Sequence, residues 1–420
     1  MRILHTADWH LGKTIEGRDR IPEQEEFIEE ICQICADEKV DLVLIAGDLF
    51  QTVNPSAAAE GLFFDALERL ADHGRRAVAV IAGNHDNPDR IAAASALASH
   101  HGITLIGLPN SPLSSTSTTR PIAKRILSGP SWFELEVPGC DHHAVITALP
   151  YPSESRLYEI IAESFDDSIL QQAYHERVRQ LFSSLSDHYR KDTINLAMSH
   201  LYVTGGIESE SEVQIQVGGA YAVSPAAFPQ DAQYIALGHL HRPQFVHHDG
   251  PPIRYSGSPL SYSFSEAGQK KSVTILNIEP GQPANIREIT LSAGRPLVRI
   301  KAEQGLQQAI MRLEEPSIRN AWIDLELYLD EPLTIAIAQE LRTWHSGIVN
   351  IRPILPQSDD DAALERRSDL SIEQMFIRFF ESRHHVAPDD ELVQLFLQLA
   401  NEAQEGTDDV IPDTRREETV

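Results

Sequence analysis

Six short apolar runs, spaced along the first 240 residues by amphipathic stretches, limit this chain's fold more than any other feature. They are Ile3–Thr6, Asp41–Ala46, Ala77–Ala82, Ala144–Leu149, Ile194–Met198 and Tyr234–Leu237. A run without polar alternation needs cover on both faces, so the pattern predicts an α/β domain with buried strands. Five of the runs end in a polar cluster: Ala7-Asp8-Trp9-His10, Gly47-Asp48, Gly83-Asn84-His85-Asp86, Ser199-His200 and Gly238-His239-Leu240-His241. In layered α/β folds ligands converge at strand ends, because rigid strands bring loop residues from distant sequence positions together.

At 420 residues the chain exceeds one average domain. The strand-and-helix pattern runs to residue 292, interrupted by the Ser/Thr-rich segment Ser111–Thr119, which reads as a surface loop. From Arg295 to Leu355 it restarts as strand Pro296–Ile300, helix Leu306–Leu313, strand Trp322–Leu329, helix Thr334–Trp344 and strand Ile348–Ile354, a small βαβαβ unit. Residues 357–420 hold 17 Asp and Glu against 6 Arg. Two amphipathic segments stand out there. Ile372, Met375, Phe376, Phe379 and Phe380 form one apolar stripe behind a Ser371/Gln374 capping box, and Leu392, Leu395, Phe396 and Leu399 form another. Two such short helices cannot bury both stripes against each other, so the stripes dock on this chain or on a partner.

The ligand chemistry follows from the clusters. Asp8, His10, Asp48, Asn84, His200, His239 and His241 offer oxygen and imidazole donors without thiolates, the mixture suited to manganese, iron or zinc. Seven donors exceed one tetrahedral site, and a shared carboxylate can hold two metals. A metal pair acidifies bound water and meets the charge of a phosphate ester. This matters because the net charge of -27 otherwise repels polyanions and excludes a nonspecific nucleic-acid coat. The three cysteines cannot build a disulfide framework or a four-thiolate zinc site. With no secretory h-region behind Met1-Arg2 and no apolar run of membrane-spanning length, the expectation is a soluble, unprocessed cytoplasmic protein.

An isolated Asp-x-His or His-x-His is usually a turn or a surface pair. Five such clusters in this order resemble the calcineurin-like metallophosphoesterase superfamily. The wording narrows the resemblance: His5-Thr6-Ala7-Asp8-Trp9-His10-Leu11-Gly12, Ala46-Gly47-Asp48-Leu49-Phe50, Ala236-Leu237-Gly238-His239-Leu240-His241-Arg242 and Tyr255-Ser256-Gly257-Ser258-Pro259 are similar to the SbcD family of bacterial nuclease subunits, relatives of the eukaryotic and archaeal double-strand-break repair nucleases. The likeness spans nearly the whole chain.

The resemblance implies a four-layer sandwich of two mixed sheets flanked by helices, with a small cap domain and a C-terminal helix pair. It implies a nuclease domain over 1–292, a capping, DNA-positioning domain over 295–356, an acidic linker over 357–369, a helix-loop-helix over 370–405 and a disordered acidic tail over 406–420. One metal would be held by Asp8, His10, Asp48 and His241, the other by Asp48, Asn84, His200 and His239, with manganese as the family's preferred ion. His85 would stabilise developing charge or protonate the leaving oxygen, with Asp86 orienting its imidazole. Gln51 stands where some archaeal relatives carry a histidine, and since Gln cannot shuttle a proton, that work falls on His85. The implied partners are DNA, an SbcC-type ATPase whose coiled coil the helix pair grips, and a second copy of the chain through helices Ser56–Ala71 and Asp89–Ser99, giving a two-plus-two complex in the cytoplasm, at the nucleoid. The implied activity is endonuclease cutting of hairpins and 3'-5' exonuclease cutting at double-strand ends, in replication, recombination and repair. The alternatives are a small-substrate phosphatase or cyclic-nucleotide phosphodiesterase, and a non-catalytic scaffold protein.

Gly12-Lys13-Thr14 resembles the end of a P-loop, but the motif's first glycine would fall on Ala7, so no direct ATP binding is expected. Cys32-Gln33-Ile34-Cys35 lies within a helical pattern and reads as packed thiols.

Overall fold

In the computed structural model, residues 1–153, 167–209 and 222–355 are described, with single positions at 376, 377, 380, 388, 392 and 393. All six apolar runs are strands. The first sheet has the order Asn285–Thr290, Ser272–Asn277, Arg2–Thr6, Leu42–Ala46, Ala77–Ile81, Ile103–Ile106, and its last four strands run parallel. The second has the order Gln244–Val246, Ile253–Tyr255, Tyr234–Gly238, Ile194–His200, Ala144–Leu149, Trp132–Glu136, Lys124–Gly129, parallel in the middle and antiparallel at both edges.

Alternation within each strand builds the layers. Leu42, Leu44, Ala46, Ala77, Ala79 and Ile81 turn to one face and meet Phe133, Ile146, Leu196, Met198 and Tyr234 of the second sheet. Val43, Ile45, Val78 and Val80 turn to the other, against Phe27, Ile28 and Ile31 of helix Ile21–Asp37 and Phe63, Leu67 and Leu70 of helix Ala57–Ala71. Ala197, Ile235 and Leu237 cover the outer face of the second sheet together with Val178 and Phe182 of helix Asp167–Ser186. Helix, sheet, sheet and helix stack as four layers, the expected architecture, and side chains covered on both faces explain why the strands read as unbroken apolar runs.

The Arg295–Leu355 pattern folds as the three-stranded sheet Leu297–Ala302, Trp322–Tyr328, Ile348–Ile354 with helices Leu306–Leu313 and Ile335–Trp344. Residues Met1–Leu327 and Leu333–Pro353 make one compact unit, and within it the small sheet is pinned to the large domain by Glu23. The Glu23 carboxylate, on the first turn of helix Ile21–Asp37, accepts from the Trp322 indole N–H (2.8 Å) and the Arg295 backbone N–H (2.7 Å). The buried Arg20 guanidinium supplies the counter-charge at 2.8 Å. Leu297 and Trp322 pack on Ile15 beside this pin.

The second unit comprises Tyr328–Pro332 and Ile354–Val420, and the helix pair expected over 370–405, with its linker and tail, lies outside the described residues apart from the six single positions. The helix expected over Asp89–Ser99 is two short ones, Pro88–Ala93 and Ser95–Ser99. Ser95 Oγ donates to the Leu105 carbonyl at 3.1 Å, which ties the second piece to strand Ile103–Ile106 at the break. Cys32 and Cys35 lie within helix Ile21–Asp37, and both thiols are pushed up by burial, to about 11 and about 12, which keeps them protonated.

Candidate metal centre

The parallel strands deliver their polar clusters to one place. Beyond Arg2–Thr6 and Leu42–Ala46 the two segments stay side by side, with Asp8 N–H donating to Gly47 O (3.0 Å), His10 N–H to Asp48 O (2.9 Å) and Leu11 N–H to Leu49 O (2.9 Å). Asp8, His10, Asp48 and His239 all take positive φ, at 55°, 45°, 51° and 106°. For residues other than glycine this costs about 1–3 kcal/mol each and persists where the surroundings over-determine it, typically at functional sites. The glycines of the motifs serve close approach: a methyl group on Gly83 would collide with the Asp48 carboxylate, and one on Gly238 with the Ala46 carbonyl.

Asp48 stands between two groups of donors. Its Oδ2 lies 3.5 Å from His10 Nε2, and its Oδ1 lies 3.4 Å from His200 Nε2. On the Oδ2 side, His10 Nε2 and His241 Nε2 face each other at 3.0 Å, and Asp8, His10 and His241 offer ligand atoms all within 4.8 Å of one another. On the Oδ1 side, Asn84 Oδ1 lies 2.8 Å from His200 Nε2 and 3.1 Å from His239 Nδ1. Asp8 ties the sides together, its Oδ1 accepting from the His239 backbone N–H at 2.8 Å. All seven residues singled out by the strand-end motifs therefore meet in one cluster. Six of them are buried and Asn84 is half-buried.

The charge states suit a cation. Burial raises the Asp48 carboxyl, but His200 and His10 outweigh it and hold the group well below the usual carboxylate range. Burial, with His200 beside it, brings His239 down to about 3, and burial also brings His10 well below its ordinary value, so both imidazoles keep a lone pair. For His200 burial works downward, yet Asp48 and then Asp8 carry it up to about 9, the two carboxylates favouring positive charge at this place. The buried Nδ1 of His10 has no hydrogen-bond partner among the described residues. Clustered nitrogen and oxygen lone pairs around ionised carboxylates fit divalent ions of the borderline class.

His85 flanks the cluster. Its ring is edge-on to His10 with centroids 4.9 Å apart, and one of its nitrogens falls within 4.8 Å of ligand atoms of His10 and Asp48. Its Nδ1–H donates to the Gln51 carbonyl at 2.9 Å, which leaves Nε2 as the nitrogen not engaged by that carbonyl. This corrects the expectation that Asp86 orients the imidazole. Asp86 is fully buried, and its carboxylate accepts from the backbone N–H groups of Gly83 (2.8 Å), Phe50 (3.0 Å) and Leu49 (3.1 Å), fastening the Asp48 loop to the Asn84 loop. Burial, and then the Asp48 charge, raise it to about 6.

Three residues around the centre lie outside the strand-end motifs. Tyr262 is edge-on to His10 (5.4 Å) and His241 (5.9 Å) and donates to the Trp9 carbonyl. Glu266 and Lys271 form a buried pair behind His241. Their one sequence signal is the S-x-x-E capping box of Ser263 and Glu266, which the structure contains. The His-His pairs His142-His143 and His247-His248 contribute other contacts: His143 binds the buried Glu134 (2.8 Å) and His248 the Pro251 carbonyl (2.7 Å).

Comparison with known proteins agrees with the fold and the metal chemistry. Residues 1–243 match the calcineurin-like phosphoesterase family, and residues 293–384 match the domain described as the type 5 capsule protein repressor C-terminal domain, SbcD_C. The chain is 46% identical over 406 residues to the SbcD protein of the SbcCD nuclease of Bacillus subtilis, covering 96% of this chain and 99% of that one. It is 32% identical over 354 residues to the protein of the same name from Rhodobacter capsulatus, covering 80% and 82%. A solved dimetal phosphatase from Danio rerio aligns at 12% identity with a TM-score of 0.38, over 70% of this chain and 99% of that one.

Proposed function

The chain belongs to the calcineurin-like phosphoesterase family and, within it, to the SbcD nuclease subunits, and on that premise we propose that it is a two-metal DNA phosphodiesterase working in complex with an SbcC-type ATPase. The observation that carries this is Asp48, whose two oxygens each face a different set of imidazole and carboxylate or amide donors. Asp8, His10, Asp48 and His241 would hold one divalent ion, and Asp48, Asn84, His200 and His239 the other, with manganese the ion that the family's preference favours. When bound, the pair supplies acidified water and positive charge for the phosphodiester. His85, whose Nδ1–H engages the Gln51 carbonyl, would present Nε2 to the phosphate and, as the imidazolium with a hydrogen on both nitrogens, give the Nε2 proton to the departing oxygen and become neutral imidazole. Asp86 acts through position, keeping the His85 and Asp48 loops in register.

In this reading residues 1–292 cut, 295–356 cap the site and help seat DNA, and the helix pair of 370–405 docks on the ATPase coiled coil. The substrates are hairpins and double-strand ends in recombination and repair. Self-pairing of the chain is supported by the apolar groove of Phe64, Leu67, Leu97, Ala98, Ile103 and Leu105, in which Phe64 and Leu97 are 46% and 70% exposed. Among the described residues no helix is long and apolar enough to cross a membrane.

The test is manganese-dependent cleavage of a labelled duplex by the purified chain, with and without its ATPase partner, beside His85→Ala. Cutting that falls by about 10²–10⁴ in the variant at unchanged metal content is the expected result. Turnover of a small phosphate ester without DNA cutting would replace the nuclease reading with a phosphatase, and inactivity on both would leave a scaffold.

A further inference from the structure

The centre's two halves are backed by different groups, and the Oδ2 half rests on a charged pair with no assigned role. Glu266 is fully buried and Lys271 nearly so. Burying an ion pair carries a desolvation cost that an apolar pair of similar volume avoids, so its presence beside a candidate ligand calls for a reason other than stability. Lys271 Nζ donates to Glu266, to the His241 backbone carbonyl (2.8 Å) and to Ser258 Oγ (3.0 Å). Ser258 N–H donates to the same His241 carbonyl at 3.1 Å, so the main chain at His241 is held twice. Glu266 Oε1 lies 3.7 Å from His241 Nδ1, within ion-pair range, on the side of the ring opposite the Nε2 that faces His10.

The bland alternative is a cap. Glu266 Oε1 also accepts from the backbone N–H groups of Tyr262 and Ser263, both at 3.1 Å, and completes the capping box of the short turn Phe264–Glu266. A cap needs only an acceptor oxygen, which glutamine supplies equally well. A partner for a metal-binding imidazole needs negative charge, because a carboxylate behind the ring fixes its tautomer and makes its far nitrogen a better donor.

We propose that Glu266, held in place by Lys271, is a positioning residue for His241: its carboxylate fixes the imidazole with Nε2 turned to His10 and thereby sets the affinity of the Asp8/His10/His241 half for a divalent cation. The Asn84/His200/His239 half is independent of it, because His200 Nδ1–H donates to the Ala46 backbone carbonyl at 2.8 Å. This rests on the reading of His241 as a ligand, and the experiment separates the two.

The full-length chain, stripped of metal, is titrated with Mn2+ alone by calorimetry, and thermal unfolding is followed on the metal-free protein. Glu266→Gln keeps the capping acceptor and removes the charge. The expected result is a two-class isotherm in which one class weakens by roughly 10–100-fold while the other matches wild type; metal-free unfolding shifts down, because Lys271 loses its buried partner, but stays cooperative with the chain folded at the titration temperature. Glu266→Asp, which keeps the charge but draws it back, should fall between. Two classes at wild-type affinity in Glu266→Gln would overturn the proposal and leave Glu266 as a cap. Equal weakening of both classes, or a chain that folds in neither variant, would also overturn it by making the carboxylate a requirement of the fold. His241→Asn distinguishes the levels: loss of one class there with Glu266→Gln silent sinks only this proposal, whereas two intact classes in His241→Asn sink the ligand assignment beneath it.

Discussion

The two halves of the candidate metal centre each set a pair of imidazoles beside an oxygen donor, Asp8 in one and Asn84 in the other, and hold them in different ways. In the Asn84/His200/His239 half, His200 is oriented by a main-chain carbonyl of strand Leu42–Ala46, so its geometry follows from the packing of one sheet on the other. In the Asp8/His10/His241 half, His241 is backed by Glu266 and Lys271, side chains that reach it from a later stretch of chain, and is flanked by the Tyr262 ring. A main-chain partner cannot be deleted by substitution, while a charged side-chain pair can be weakened without unfolding the sheet. On the proposed ligand assignment, the Asn84/His200/His239 half is robust by construction, and the Asp8/His10/His241 half is where affinity can be tuned.

The harshest break of this comparison is Asp48→Asn, because the two oxygens of Asp48 face the imidazoles of different halves. It should remove metal from both sites together and lower cleavage by at least the roughly 10²–10³ lost with a single electrostatic stabiliser. Elemental analysis checks this, and retention of two ions would end the bridge assignment. Next come His200→Asn and His241→Asn as a matched pair, each expected to lose one ion of two. Identical sensitivity of both to Glu266→Gln would erase the difference between the halves.

Glu23 tests whether the side chains near the Asp8/His10/His241 half depend on the small sheet. Glu23→Ala leaves the buried Arg20 without its partner and frees Trp322 and Arg295, and denaturant unfolding should show a loss of about 3 kcal/mol. Burial raises the Glu23 carboxyl, but Arg20 outweighs it and the net shift is downward. Stability from this group is therefore complete above the unfolded value of about 4.3 and lost as pH falls through the lower folded value, so Glu23→Ala should flatten the acid limb. An unchanged acid limb would assign that stability elsewhere. The smallest effect belongs to Gln51→Ala. The group that orients His85 is the main-chain carbonyl, so cleavage should stay within about threefold of wild type, and a tenfold loss would mean the amide side chain takes part.

Much of the centre is legible in the order of the residues. The seven donors follow apolar runs that can only be covered strands, and parallel strands necessarily bring such ends together. Short range explains that success, since each motif is fixed by the residues beside it. Asp86 shows where it stops: adjacency to His85 in sequence put it forward as the orienting group, whereas its carboxylate accepts from the backbone N–H groups of Leu49, Phe50 and Gly83 instead. The break at Ala94, between the helices Pro88–Ala93 and Ser95–Ser99, was likewise invisible, because it depends on Ser95 reaching a strand carbonyl.

The sequence by itself determined the layered α/β class, the strand ends and the donor types, all of which depend on periodicity and local composition. Only the tertiary structure decided which donors face which oxygen of Asp48, that Gln51 orients His85 through a carbonyl any residue would carry, and that Glu266 and Lys271 back His241 from 25 and 30 positions away. Those contacts join segments far apart in the chain through main-chain atoms and buried charges, and neither leaves a pattern in the order of the amino acids.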